Sequence, residues 1–344
     1  MMISKLKFVL ATGGLLLAAS AGSANASYCG DGKTVTFAGI DWESGAFITE
    51  VMKTILAEGY GCQVDSIPGN SVTLEQATAN NDVQIFAEEW IGRSDIWNKA
   101  AEEGKVLSVG KTFVGASEGW FVPDYVVNGD ASRGIEPAAA DLKSVSQLSD
   151  PKFVALFADP EEPSKGRFLN CPSGWTCEGV STAKLSAYKL DGSYTNFRPG
   201  TGTALDSAIT SAYLQGEPIL FYYWSPTAIM GKFKLVQLEE PAYSDECWKE
   251  LTSADGKREQ GCAFPSVEVA YGVNSTFAKE APEIIEILEK ATFPLADVNG
   301  SLAYMVDNKA DAAAAAAEFL KTKKDVWGAW VSGEAREKIE ASLN

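Results

Sequence analysis

Strand-like and helix-like runs alternate from residue 33 onward, and a chain that alternates in this way is steered toward parallel sheets with helices on their faces. Residues 33–40 read as a strand. Residues 46–58 read as a helix, with Phe47, Val51, Ile55 and Leu56 at helical spacing, stopped by Gly59. A second strand at 62–67, a short helix at 74–80 and a third strand at 83–86 follow; the last delivers Ala87-Glu88-Glu89-Trp90. Further on, 142–148, 181–189 and 204–215 read as helices and 218–223 as an apolar strand running into Trp224. Residues 267–273 make another strand, 282–291, 296–306 and 310–321 are helical, and Trp327 and Trp330 belong to a last helix. Two passages between lobes are implied, near 117 and 267. They predict a discontinuous first lobe, 27–117 plus 268–344, around an inserted second lobe, 118–267.

Residues 1–26 are set apart from this pattern. Lys5 and Lys7 precede an apolar run from Phe8 to Ala19, and Ala24-Asn25-Ala26 fits a small-x-small cleavage pattern. Together these predict an export signal cut near Ala26, hence an exported protein. The chain has 344 residues and a net charge of −17, and loss of the two lysines takes this to −19. Nucleic acid and anionic membranes are poor partners for such a surface. An even set of six cysteines in an exported chain predicts three disulfides. Spacing does not fix their connectivity; local pairing of Cys171 with Cys177 and of Cys247 with Cys262 leaves Cys29 with Cys62.

There is no histidine, so Ser-His-Asp and Cys-His nucleophile systems are absent, and a zinc site built on the cysteines is disfavoured. No phosphate-binding glycine motif is present. Glu88 and Glu89 are adjacent on an extended segment and should point opposite ways, so they do not form an acid–base pair. No cofactor or metal is expected. An exported enzyme acting on a cationic small molecule, or a receptor for amino acids or peptides, are the competing readings.

The informative excess is nine tryptophans. Trp97, Trp248, Trp327 and Trp330 are expected to pack cores. Trp42 and Trp120 stand open between packing and ligand contact. Trp90 and Trp224 follow strands, where ligands bind on parallel sheets, and Trp175 sits in the tight run Cys171-Pro172-Ser173-Gly174-Trp175-Thr176-Cys177-Glu178-Gly179. A quaternary ammonium cannot donate a conventional hydrogen bond, but its charge is attracted to indole faces by ~0.5–2 kcal/mol per contact. Several tryptophans around one cleft therefore suit a methylated cation.

The 171–179 run, the segment Phe221-Tyr222-Tyr223-Trp224-Ser225-Pro226 and the segment Phe293-Pro294-Leu295-Ala296-Asp297-Val298-Asn299 together resemble the glycine betaine/proline betaine-binding proteins of osmolyte ABC importers, in order over nearly the whole mature chain. The resemblance implies a type II periplasmic binding fold: two α/β lobes on a two-strand hinge that close on ligand. It implies a tryptophan box of Trp90, Trp175 and Trp224, with the ligand carboxylate held by the N–H groups of Thr176 and Cys177. It also implies a membrane permease as partner and a receptor that acts as a monomer. Glycine betaine is the first ligand expected, followed by trimethylamine N-oxide, choline, proline betaine and dimethylsulfoniopropionate. The chain departs from the pattern at Trp90-Ile91-Gly92-Arg93, and Ser94 stands near the place of a histidine that some relatives use. Trp42, Trp120 and Glu118 look like additions. Glu118 either reaches a polar ligand end or belongs to the hinge surface.

Overall fold

The computed structural model describes residues 28–253, 255–266 and 268–343. The expected export signal and its Ala24-Asn25-Ala26 cleavage pattern lie outside these residues, as does Val267. The strands are β1 (Thr34–Ile40), β2 (Gln63–Gly69), β3 (Ile85–Trp90), β4 (Val106–Phe113), β5 (Ser117–Pro123), β6 (Gly166–Leu169), β7 (Tyr194–Phe197), β8 (Leu220–Ser225), β9 (Leu235–Gln237) and β10 (Val269–Asn274). They form two five-stranded sheets, ordered β2-β1-β3-β10-β4 and β7-β6-β8-β5-β9.

Each sheet has a parallel trio and an antiparallel pair. In the first, β1 runs parallel to β2 and β3, and β10 enters antiparallel between β3 and β4. In the second, β6 runs parallel to β7 and β8, and β5 lies antiparallel between β8 and β9. The chain leaves the first sheet through residues 114–116, builds the second, and returns with β10.

Helices cover both sheets for the reason that the sequence periodicity gives. In the helix Glu43–Thr54, Phe47, Ile48, Val51 and Met52 are fully buried, and a π-helical turn, Ile55–Gly59, prolongs it. Phe47 packs edge-on against Phe293 and Phe319, in the same core as Tyr271, Trp327 and Trp330. Truncating one such aromatic to alanine costs about 3–5 kcal/mol. The second core gathers Trp120, Phe168, Tyr222 and Trp224, and it continues across the cleft to Ile40 and Trp42. Disulfides join Cys29 to Cys62, Cys171 to Cys177 and Cys247 to Cys262. The first ties the segments that lead into the neighbouring strands β1 and β2.

Three local expectations change. Residues 142–148 are not a helix but lead into a 3-10 turn, Val145–Ser149. A reciprocal Ser144–Gln147 capping box starts that turn, and Asp150 before Pro151 ends it. The helix after the cysteine ring begins at Thr176, not 181, so that Cys177 lies in its first turn. Trp327 ends a four-residue helix, Lys324–Trp327, and Trp330 lies in the turn beyond it. The last helix, Gly333–Ser342, starts afresh because the Ser332 hydroxyl accepts from the Ala335 N–H. Strands β6, β7 and β9 are three or four residues long, too short to carry a period-two signal. No helix among the described residues is long and apolar enough to cross a membrane.

Candidate functional site

A cavity of about 60 Å³ lies between the two sheets. A water-sized group needs roughly 10–15 Å³ of such space, so the cavity suits a molecule of a handful of heavy atoms. Trp42, Trp90, Trp175, Trp224, Thr176, Cys177 and Glu118 all line it.

Each indole reaches the cavity from a different element. Trp90 is the last residue of β3. Trp42 precedes the helix Glu43–Thr54, and a Cβ on Gly45 would come within 2.9 Å of its Nε1, so only glycine leaves room for this ring pose. Trp175 is the N-cap of the helix Thr176–Ala187, held there by the Cys171–Cys177 ring. Trp224 lies within β8 rather than past it. Trp175 stands edge-on to Trp42, with centroids 5.5 Å apart, and to Trp224, at 5.3 Å. The first lobe thus supplies Trp42 and Trp90, and the second supplies Trp175 and Trp224.

Trp120 does not line the cavity, although the sequence left it open as a ligand contact. It is fully buried, 4.2 Å from Phe168 between centroids, with its N–H toward the Ser181 hydroxyl at 3.4 Å. It sits two residues further along β5 than Glu118, and the helix Thr176–Ala187 covers it there. Glu118 is not hinge surface: it is buried opposite Trp224 in the β5–β8 ladder. Its carboxylate pairs with the buried guanidinium of Arg93 and accepts the Tyr222 hydroxyl at 2.6 Å. Burial and the Glu118 charge push the Tyr222 phenol well above its ordinary range.

Of the acidic lining, the sequence singles out only Glu118 as a candidate ligand contact. Glu75, Glu88, Glu89 and Arg93 line the cavity with the tryptophans. Strand alternation predicts that the adjacent Glu88 and Glu89 face opposite ways. A bulge overturns that expectation: Ala270 pairs with Glu89 and Gly272 with Phe86, so that β3 carries one extra residue between them. Strict alternation fails, and both carboxylates reach the cavity.

Glu88 is fully buried beneath two of the indoles. Its Oε1 accepts from Trp42 Nε1 at 2.8 Å, Trp90 Nε1 at 3.0 Å and the Ser44 hydroxyl at 3.1 Å. One carboxylate therefore orients both tryptophans of the first lobe. Desolvation pushes its pKa up to about 7 against the pull of those three donors. Its Oε2 is buried with no hydrogen-bond partner.

Arg93 follows Gly92, whose φ of +79° turns the chain out of β3. The Arg93 guanidinium lies 4.9 Å from the Trp248 ring and 5.6 Å from that of Phe264. Its Nη2 donates to the Pro265 carbonyl at 3.2 Å, while Nε and Nη1 have no partner. Further bonds join the lobes: Trp248 Nε1 to the Gly92 carbonyl at 3.1 Å, and the Thr176 hydroxyl to Glu75 Oε1 at 3.4 Å. Ser94 gives its hydroxyl to the same Glu75 carboxylate.

The arrangement offers indole faces and carboxylates to a cation that has left water. The N–H groups of Thr176 and Cys177 open a 12-residue helix and so lack intrahelical acceptors.

Fold and site together define a two-lobed α/β receptor for a small solute. Comparison with known proteins gives its family. Residues 33–322 match the substrate binding domain of ABC-type glycine betaine transport systems, and the chain belongs to that family of substrate-binding proteins, which are not enzymes. It is 28% identical over 242 residues to the glycine betaine/proline betaine-binding periplasmic protein of Escherichia coli, covering 67% of this chain and 68% of that one. Its fold matches an ABC-transporter choline-binding protein solved with choline, at a TM-score of 0.71 and 17% identity, covering 90% of this chain and 98% of that one. It also matches lactococcal OpuAC, solved closed on glycine betaine, at 0.66 and 18%, covering 87% of this chain and all of that one.

Proposed function

We propose that this chain is the periplasmic receptor of an ABC importer, capturing a small methylated-ammonium osmolyte between its lobes and delivering it to the membrane permease. The observation that carries this reading is the convergence of four indoles, two from each lobe, on one small cavity with a carboxylate behind two of them. Trp90, Trp175 and Trp224 form the box, and Trp42 adds a fourth wall. The methyl groups pack on the rings while the charge meets their negative faces. Cavity closure excludes water from a head group that could not have hydrogen-bonded to it. No bond is made or broken; the closed form is what the permease reads.

Glycine betaine, trimethylamine N-oxide, choline, proline betaine and dimethylsulfoniopropionate share a methylated cationic head and differ in what it is tied to. Thr176 and Cys177 present N–H donors to that second end. The receptor works as a monomer. Titration of intrinsic tryptophan fluorescence with these five compounds tests the reading. A saturable change in the micromolar range with at least one of them, lost in Trp175→Ala, supports it; no response to any of them refutes it.

A further inference from the structure

Away from the indoles the cavity wall is acidic. Four buried carboxylates line it, Glu75, Glu88, Glu89 and Glu118, against one cation, Arg93, which is already paired with Glu118. Glu75 and Glu89, each 2% exposed, come from the helix Ser71–Ala79 and from β3. The groups acting on Glu75 are the hydroxyls of Ser94 and Thr176, and on Glu89 the charge of Glu75; no basic side chain is among them. Glu75 also reaches the first turn of the helix Thr176–Ala187, where the N–H groups of Thr176 and Cys177 find no acceptor among the described residues. A protein carboxylate therefore already stands where a ligand carboxylate would look for donors. Glu88 Oε2 adds a buried, unpartnered acceptor to the same wall.

We propose that Glu75 and Glu89 make the cavity selective for methylated-ammonium ligands whose second end carries no negative charge, a hydroxyl in place of a carboxylate. The proposal rests on the reading of the site as a methylated-ammonium receptor. A ligand carboxylate would bring a further negative charge into a water-poor space whose one cation, Arg93, already faces the Glu118 charge, although its Nε and Nη1 have no hydrogen-bond partner, and like charges at such range repel strongly. A hydroxyl brings no charge to that end. It can accept from the free N–H groups, or from whichever member of the acid pair holds a proton. Burial raises Glu75 to about 7, so that at pH 7 it still carries part of its charge, and burial with that neighbouring charge raises Glu89 well above its ordinary range, so that the pair keeps a proton. The groups facing the pair are Ser94, Thr176 and Glu88, with Arg93 and Glu118 along the same wall.

The test is calorimetric titration of choline, trimethylamine N-oxide and glycine betaine into the wild-type protein and Glu75→Gln at pH 7. In the wild type, choline should bind at least tenfold tighter than glycine betaine. Glu75→Gln keeps the side-chain shape and an acceptor for Ser94 and Thr176 but removes the charge. It should raise glycine betaine affinity at least tenfold and narrow the selectivity. Glu75→Ala removes the same charge, should move the ratio in the same direction, and serves if the first variant does not fold. Wild-type preference for glycine betaine, or an unchanged ratio in a folded variant, overturns the selectivity while leaving the receptor reading intact. No binding by any of the three overturns both.

Discussion

Replacing Glu88 by glutamine separates the electrostatics of the site from its shape. The glutamine oxygen can still accept from Trp42, Trp90 and Ser44, which now converge on Glu88 Oε1. The change removes a carboxylate that burial raises from 4.5 to about 7. Between those values the native state holds a proton that the unfolded chain has released. Stability in the ligand-free protein is therefore full below the unfolded pKa and falls as pH rises through the native one. A shift of this size corresponds to ~3 kcal/mol. Urea denaturation of the ligand-free protein, followed by circular dichroism from pH 4.5 to pH 8, reads it out. The other buried acids titrate in both proteins, so the difference between wild type and variant reports Glu88. Glu88→Gln should gain on the wild type by ~3 kcal/mol across that range. Its amide, set where Oε2 now lacks a partner, adds a roughly constant offset of about 1–3 kcal/mol. Two stability curves that stay parallel from pH 4.5 to pH 8 would show that Glu88 titrates as an ordinary exposed carboxylate, and the account of its burial would fail.

Other changes test separate parts of the structure. Trp175→Ala should weaken ligand binding by ~1–3 kcal/mol in calorimetry. Trp120→Ala should lower the urea midpoint, with a loss of about 3–5 kcal/mol from the second core, and Trp120→Phe should leave the ligand dissociation constant within about threefold, since Trp120 does not face the cavity. Opening the 171–177 ring with a double serine variant should cost ~2 kcal/mol on chain-entropy grounds and weaken ligand binding as well, because the ring carries Trp175. Arg93→Ala leaves Glu118 buried without its ion partner and should destabilise the protein by about 3–5 kcal/mol, seen as a lower melting temperature.

The alternation of strands and helices and the return of the chain to the first sheet were legible because long elements bury whole faces, as Phe47 and Val51 do in the helix Glu43–Thr54. The tryptophans beside strand ends were legible because parallel trios bind ligands at their carboxyl edges. The acidic wall was not. Strand periodicity places Glu88 and Glu89 on opposite faces, and only the register shift against β10 brings both to the cavity. Glu75 reads in sequence as one residue of a short helix, and nothing local says that Thr176, 101 residues away, meets it across the cleft. Trp120 misleads for a related reason. It shares a strand with Glu118, and its depth along that strand, which local sequence does not encode, buries it under the helix Thr176–Ala187.

The central claim is that indole faces from both lobes hold a methylated cation. The most direct measurement compares choline with ethanolamine, and glycine betaine with glycine, in calorimetric titrations of the wild-type protein. At least one methylated member should bind in the micromolar range, with its unmethylated counterpart at least a hundredfold weaker. Equal or tighter binding of the unmethylated amines would mean that hydrogen bonds to an ammonium, and not its methyl groups against tryptophan, govern the site.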